Sequence, residues 1–157
     1  MARQLWLLRH GEAEPHDARG DDAERRLTPR GEAQARAAGR ALAALDLPVH
    51  LVFASPKVRA RDTAALACEA LGVDPIEHRP LAGGFGRDEA LELVAAGDGD
   101  RRTLLVGHNP DFEQLVLDLT GARAELRKGA LAGIRLRGGR GELVALLQPR
   151  ELALLGR

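Results

Sequence analysis

Short apolar runs that stop at glycine, proline or a polar residue alternate along this chain with longer segments of helical periodicity, an alternation that admits few folds. Gln4 to Arg9, Leu51 to Ala54 and Thr103 to Gly107 read as buried strands, with Pro75 to His78 as a shorter one. Thr28-Pro29 offers an N-cap followed by proline at the first helical position, opening an Ala-rich helix to about Leu45. Ser55-Pro56 repeats that start signal for a helix to Leu71, with Gly72 as its terminator. Gly83, Gly84 and Gly86 mark a loop, and Asp88 to Ala96 and Asp111 to Thr120 read as helices. Ala130 to Arg137 and Glu142 to Leu147, joined by Gly138-Gly139-Arg140-Gly141, read as a late hairpin. Strands alternating with helices predict an α/β three-layer sandwich: a mostly parallel central sheet with helices on both faces. With 157 residues and no internal repeat or linker, residues 1–157 are expected to form a single domain.

Charge and cysteine usage remove several function classes. Lys plus Arg equals Asp plus Glu at 23 each, so no global basic field favours nucleic acid and any anion site must be local. No apolar run approaches the roughly 18 residues of a membrane span. Met1-Ala2-Arg3-Gln4 leads straight into the first strand without the regions of a signal peptide, so a cytoplasmic location is expected. The lone Cys68 excludes an internal disulfide and a cysteine-based zinc site, and is expected to be a small core residue.

The chemistry gathers at strand ends, because an open α/β sheet binds ligands outside the carboxyl ends of its strands. Arg9 and His10 finish the first strand, Ser55 the second with Arg59 on the following helical turn, and His108 a later one. Two arginines, two imidazoles and backbone N–H groups at helix starts make a cup for a tetrahedral dianion. Nearby positive charge keeps an imidazole neutral, so its lone pair can attack phosphorus and form a covalent phosphohistidine. His16, His50 and His78 follow no motif, Arg61 reads as surface, and the glycines at 83, 84 and 86 lack dinucleotide or P-loop spacing. No close spacing of histidines and carboxylates suggests a metal site. The polar stretch from Glu12 to Arg26 is of a length uncommon unless functional or mobile. It is the expected rim, where Asp17, Asp21 and Asp22 with Arg19, Arg25 and Arg26 either steer a partner or are simply solvated.

Leu8-Arg9-His10-Gly11-Glu12, Arg26-Leu27-Thr28 with Gly31, Ser55-Pro56 with Arg59-Ala60 and Thr63-Ala64, and Gly107-His108-Asn109-Pro110 together resemble the histidine phosphatase superfamily, which includes phosphoglycerate mutases. The short chain without inserted cap segments is most similar to the SixA-type phosphohistidine phosphatases. The resemblance implies a phosphoglycerate mutase-like fold. It makes His10 the nucleophile, Arg9 and Arg59 the clamp on the phosphoryl oxygens, and His108 a hydrogen-bonding group that stabilises transition-state charge. Gly11 and Ser55 join the implied phosphate-binding set, and Glu12 stands at the pocket rim. No metal and no other cofactor is implied. The implied partners are a phosphohistidine-bearing phosphorelay protein or a small phosphorylated substrate, with inorganic phosphate as product, and neither nucleic acid nor membrane.

One departure bears on the substrate. Many family members that act on esters carry a glutamate after the third strand, whereas here the segment reads Arg79-Pro80-Leu81-Ala82-Gly83-Gly84-Phe85-Gly86, with no carboxylate until Asp88 and Glu89. An alkoxide leaving group needs a positioned acid, worth about 10²- to 10⁴-fold. An imidazole, whose conjugate acid has a pKa of about 6.5, needs far less help. Dephosphorylation of phosphohistidine is therefore the expected activity. The alternatives are a small-molecule phosphomonoesterase or mutase using Asp88 or Glu89 as the acid, and a non-catalytic phosphate-binding signalling module.

Overall fold

The structure is a computed structural model that describes residues 3–96 and 101–157. Met1 and Ala2, on which the reading of a missing signal peptide partly rests, lie outside the described residues. Its strands are β1 (Arg3–Arg9), β2 (Leu51–Ala54), β3 (Ile76–Glu77), β4 (Arg102–Gly107), β5 (Leu131–Arg137) and β6 (Arg140–Leu147). They are interleaved with α1 (Pro29–Ala44), α2 (Val58–Leu71), α3 (Arg87–Ala95) and α4 (Asp111–Thr120), and followed by α5 (Pro149–Leu155). The strands form one sheet in the order β3-β2-β4-β1-β5-β6, parallel from β3 to β1 and antiparallel through the β5–β6 hairpin. The expected mostly parallel α/β sandwich is thus observed, with an antiparallel edge where the glycine-rich turn predicts a hairpin.

Alternation along β1 divides the core in two. Leu5 and Leu7 face a cluster with Phe112, Leu115 and Val116 of α4 and Ala90 and Val94 of α3. Trp6 and Leu8 face the other side, against Ala38, Ala41 and Leu42 of α1 and Ala60, Ala64 and Ala67 of α2. Cys68 is buried in that second cluster, as expected of a small core residue. None of the described helices is long and apolar enough to cross a membrane.

Parallel pairing aligns the strand ends that matter. Arg9 lies opposite Gly107, and Ala54 opposite Val106. The ladder continues one residue further, with His10 N–H donating to the Gly107 carbonyl at 3.0 Å and Ser55 N–H to that of Val106 at 3.0 Å. His10, Ser55 and His108 therefore leave the sheet side by side.

Three local expectations change. Ser55-Pro56 does not open α2: the helix begins at Val58 after Lys57, and the Ser55 hydroxyl instead accepts from Lys57 N–H at 3.2 Å, an ST-turn that precedes the helix. The stretch from Glu12 to Arg26 is not irregular throughout, since Ala13 bridges to Leu27 and a 3₁₀ turn spans Asp22–Glu24, capped by the Asp21 carboxylate on Ala23 N–H at 3.0 Å. Helix α5 went unpredicted because seven residues hold too little periodicity to read. Its available signal was Gln148-Pro149 with Glu151, whose carboxylate accepts from Gln148 N–H at 3.3 Å.

The start of α1 is pressed against the loop after β1. A Cβ on Gly31 would lie within bonding range of the Glu12 carbonyl oxygen, and one on Gly11 would meet the Gly31 carbonyl oxygen at 2.5 Å. Gly31→Ala is expected to force these backbones apart and destabilise the protein by about 1–3 kcal/mol, seen as a lower urea midpoint. An unchanged midpoint would mean that the crossing relaxes freely.

Candidate active site

The strand ends bring His10, Arg59, His108 and Ser55 into one buried cluster, with exposures of 5%, 5%, 7% and 0%. Arg9 is half-buried beside them. The rings of His10 and His108 have centroids 5.3 Å apart and are tilted by 55°.

Each side chain is held from behind by a named partner. His10 Nδ1 lies 2.7 Å from the Gly11 carbonyl oxygen, which can only accept, so Nδ1 carries the hydrogen and Nε2 keeps its lone pair. Arg9 donates through one terminal nitrogen to the Leu126 carbonyl at 2.9 Å, as does the Asn109 amide at 2.9 Å. Thr63 ties two elements together: its hydroxyl accepts from Gly11 N–H at 3.1 Å and donates to the Arg59 carbonyl at 2.7 Å. His108 Nε2 lies 2.8 Å from the Ser55 hydroxyl. That hydroxyl also accepts from Lys57 N–H, and when it donates its own hydrogen to Nε2 the ring hydrogen of His108 stands on Nδ1.

Among the described residues, Arg9 Nε, Arg59 Nε and His108 Nδ1 are buried nitrogens that no protein atom satisfies, the two arginine nitrogens as donors and His108 Nδ1 as one in the tautomer just described. Buried donors are normally paired, and three on converging side chains suit the oxygens of a tetrahedral anion. Asn109 Oδ1 is also unpaired, but it is an acceptor and does not suit an anion.

Burial, with the positive charge of Arg59 and Arg9 and each other's ring, pushes the His10 imidazole down to about 3, against a raising contribution from the Gly11 carbonyl. Burial, then Arg59, Lys57 and Arg9, does the same to His108, to about 3, with Asp22 opposing. Both rings are therefore neutral at pH 7. In the unfolded chain a histidine binds its proton near pH 6.5, whereas the folded one refuses it until about pH 3. The stability these rings contribute is complete above about pH 6.5 and is lost as pH falls toward 3, at ~1.4 kcal/mol per pH unit for each ring. In phosphate-free buffer the urea midpoint is expected to fall steadily from pH 7 to 5. His10→Gln should flatten that fall by about half, and an equal slope in wild type and variant would refute the assignment.

The rim contributes residues whose role the sequence left open between steering a partner and being solvated. Asp22 is not simply solvated: its carboxylate pairs with Arg59 at 3.1 Å, Arg25 at 2.8 Å, Lys57 at 3.7 Å and His16 at 3.5 Å, and its carbonyl accepts from Arg59 at 2.9 Å. Burial alone would raise the Asp22 pKa, but the hydrogen bond from Arg25 and the charge of Arg59 override it and hold the carboxylate at about 2. Arg25 is buried, its second contact being the Glu14 carbonyl at 2.7 Å. No periodicity or motif marks either residue. The only signal was an acidic and basic mixture in a loop of unusual length.

The other expectations separate cleanly. Arg61, not Arg59, pairs with Asp62, at 3.4 Å on the surface. His78 packs between Phe53 and Phe85, His50 accepts from Arg102 N–H at 3.0 Å, and His16 is exposed beside Asp22. Glu12 stands at the rim and pairs with Arg30 at 3.6 Å. Glu89 accepts from Gly86 N–H at 3.1 Å, capping α3, while Asp88 is almost wholly exposed beside Arg87. No group of three or more His, Cys, Asp or Glu suited to a metal ion occurs among the described residues.

The geometry has counterparts. The family model of the histidine phosphatase superfamily (branch 1) matches residues 5–92. An uncharacterized protein of Picosynechococcus sp. is 34% identical over 140 residues, covering 84% of this chain and 84% of its own. The mitochondrial serine/threonine-protein phosphatase Pgam5 of Drosophila ananassae is 33% identical over 138 residues, covering 68% of this chain but 47% of that protein. A structure assigned to the phosphohistidine phosphatase SixA of Nakamurella multipartitia superposes with a TM-score of 0.82 at 28% identity, over 95% of this chain and 97% of that one. The family match spans more than half of the residues, with its arginine, histidine and glycine block leading into the buried cluster just described, and the chain belongs to the histidine phosphatase superfamily (branch 1).

Proposed function

We propose that this phosphatase removes phosphate from phosphohistidine carried on a partner protein, through a phosphohistidine intermediate on His10 and without a metal ion. The observation that carries this reading is the lack, among the described residues, of an acid for an ester oxygen. Glu89 is committed to the cap of α3, Asp88 is turned to solvent, and Asp22 is held ionised by its cations. An alkoxide would depart unprotonated from such a site, whereas an imidazole can depart as a neutral ring. Two of the similar proteins, the SixA structure and the serine/threonine-protein phosphatase Pgam5, are named for phosphate on amino-acid side chains, which supports a protein substrate, while two structures of the same fold, 19% and 20% identical, are named for the small molecules α-ribazole-5′-P and glucosyl-3-phosphoglycerate.

The reaction then runs in two halves. His10 Nε2 attacks phosphorus as the bond to the leaving nitrogen breaks, and that bond's electrons stay on the departing ring. Arg9 and Arg59, through their free Nε–H groups, and His108, through Nδ1–H, hold the equatorial oxygens, whose charge is already met by oriented donors in a buried site. Water next attacks the phosphoryl group, the Nε2–P bond breaks, and dihydrogen phosphate leaves. His10 departs from phosphorus as a neutral imidazole, because its Nδ1–H stays on the Gly11 carbonyl throughout.

Ser55 sets the His108 tautomer in this scheme, so Ser55→Ala frees Nε2 to take the hydrogen and leaves Nδ1 as an acceptor facing a phosphoryl oxygen. Loss of one such hydrogen bond is expected to lower kcat by up to about tenfold with little change in stability. A KM effect with kcat intact would refute the tautomer argument.

The proposal is tested by presenting the protein, in a chelator, with a phosphohistidine-bearing domain and separately with para-nitrophenyl phosphate. Rapid release from the first and slow release from the second is the expected result. Efficient ester hydrolysis would mean a small-molecule role, and no turnover of either would mean a phosphate-binding module.

A further inference from the structure

The Asp22 carboxylate presents a physical problem for any phosphatase. It sits on the same guanidinium that would clamp a dianion, 3.1 Å from an Arg59 terminal nitrogen, and a negative charge there opposes phosphate binding. Its cations hold one edge of it, Arg25 on Oδ1 and Arg59 and Lys57 on Oδ2, while the side chain remains 45% exposed. Two oxygens offer about four acceptor positions, so acceptor capacity remains on the exposed side. A carboxylate placed this way, already balanced by its own cations, opposes a dianion less when the substrate brings a positive charge to its exposed side.

Phosphohistidine brings one. An imidazole expelled from phosphorus with no proton on its far nitrogen would leave as imidazolate, a very poor leaving group. With that nitrogen protonated it leaves as neutral imidazole. The site already treats one of its two imidazoles this way, since the Gly11 carbonyl holds the far N–H of His10 at 2.7 Å. Resting on the phosphohistidine reading, we infer that Asp22 is the matching acceptor for the substrate: it receives a hydrogen bond from the protonated far nitrogen of the phosphohistidine ring and so selects a phosphoramidate over a phosphate ester. In the transfer step the substrate's P–N bond breaks, its electrons pass to the near ring nitrogen, and the Nε2–P bond of His10 forms. The proton stays on the far nitrogen, hydrogen-bonded to Asp22, which remains a carboxylate throughout. The charged and titratable groups facing Asp22 are His16, Arg25, Lys57 and Arg59, of which Arg25, Lys57 and Arg59 offer only donors.

The test compares wild type, Asp22→Asn and Asp22→Glu in the full chain, with a phosphohistidine-bearing domain and para-nitrophenyl phosphate as substrates and inorganic phosphate as inhibitor. Asparagine keeps an oxygen for Arg59 but loses the charge. Asp22→Asn is expected to lower the ratio of kcat/KM for phosphohistidine to that for the ester at least tenfold, while inorganic phosphate inhibits several-fold more tightly because a repelling charge is gone. Asp22→Glu should restore part of the ratio. If Asp22 merely holds Arg59, both substrates will lose rate together and phosphate will bind more weakly, which overturns the inference, as does an unchanged ratio. Failure of the phosphohistidine reading itself shows separately, as wild type that does not turn over the phosphohistidine domain, and it takes this inference with it.

Discussion

Replacing His10 by alanine is expected to abolish turnover, lowering kcat on the order of 10⁴- to 10⁶-fold, because the covalent route has no other nucleophile in this site. The nearest ring, His108, has its Nε2 engaged by the Ser55 hydroxyl at 2.8 Å, and in the proposed scheme it is a donor to the phosphoryl group rather than the nucleophile. The decisive measurement is the intermediate. Wild type mixed briefly with labelled phosphohistidine substrate and quenched in base should carry an acid-labile label, and His10→Ala should carry none. The variant removes a buried ring from a polar pocket, so its urea midpoint is recorded alongside to show that it is folded. Turnover in the variant within tenfold of wild type would rule out His10 as nucleophile. A wild type that binds phosphate tightly but never becomes labelled would favour the non-catalytic module.

Arg59→Ala should produce the next largest loss, about 10²- to 10³-fold in kcat/KM. Arg59 is the residue on which two demands converge. Its terminal nitrogens hold the Asp22 carbonyl at 2.9 Å and carboxylate at 3.1 Å, while its buried Nε is left unpaired for the phosphoryl group in the proposed scheme. Truncation therefore removes a phosphoryl contact and also releases the 3₁₀ turn of the rim. Lysine is not expected to rescue it, since a single ammonium cannot replace a planar fork that serves the rim and the anion at once. Kinetics for alanine and lysine variants, with inhibition by inorganic phosphate, check this. Near-complete recovery in Arg59→Lys would show that only the charge matters and that the rim contact is incidental.

The readable part of the site was the part carried by strand ends. Arg9, His10, Ser55 and His108 were legible because each stands at a point where an apolar run stops, and a parallel sheet aligns such points. Arg59 was legible from its place one turn into the helix after Ser55. Ser55 itself was located correctly but given the wrong local task. A serine before proline serves equally well as a helix cap or as a turn, and the choice depends on His108, more than fifty residues away, reaching its hydroxyl. Asp22 and Arg25 were placed on the rim and Thr63 in a motif, but the contacts they make were out of reach for a similar reason. Thr63 meets Gly11 and Asp22 meets Arg59 only through the tertiary fold, and although Arg25 bonds Asp22 from within the same turn, Asp22 looks like any charged loop residue until Arg59 is seen beside it.

By itself, then, the sequence determined the alternation of strands and helices, the two-sided core that follows from period two in the strands and from helical periodicity between them, and the identity of the cationic and imidazole groups at the strand ends. Those properties depend on local patterning and on the single geometry that parallel strands share. Only the tertiary structure decided which buried nitrogens are left unpaired, which tautomer His10 holds, and that Asp22 pairs with Arg59 at the rim of the cluster. Such features depend on hydrogen-bond partners brought together from distant segments, and an imidazole or a carboxylate takes its protonation state from those neighbours rather than from its own place in the chain.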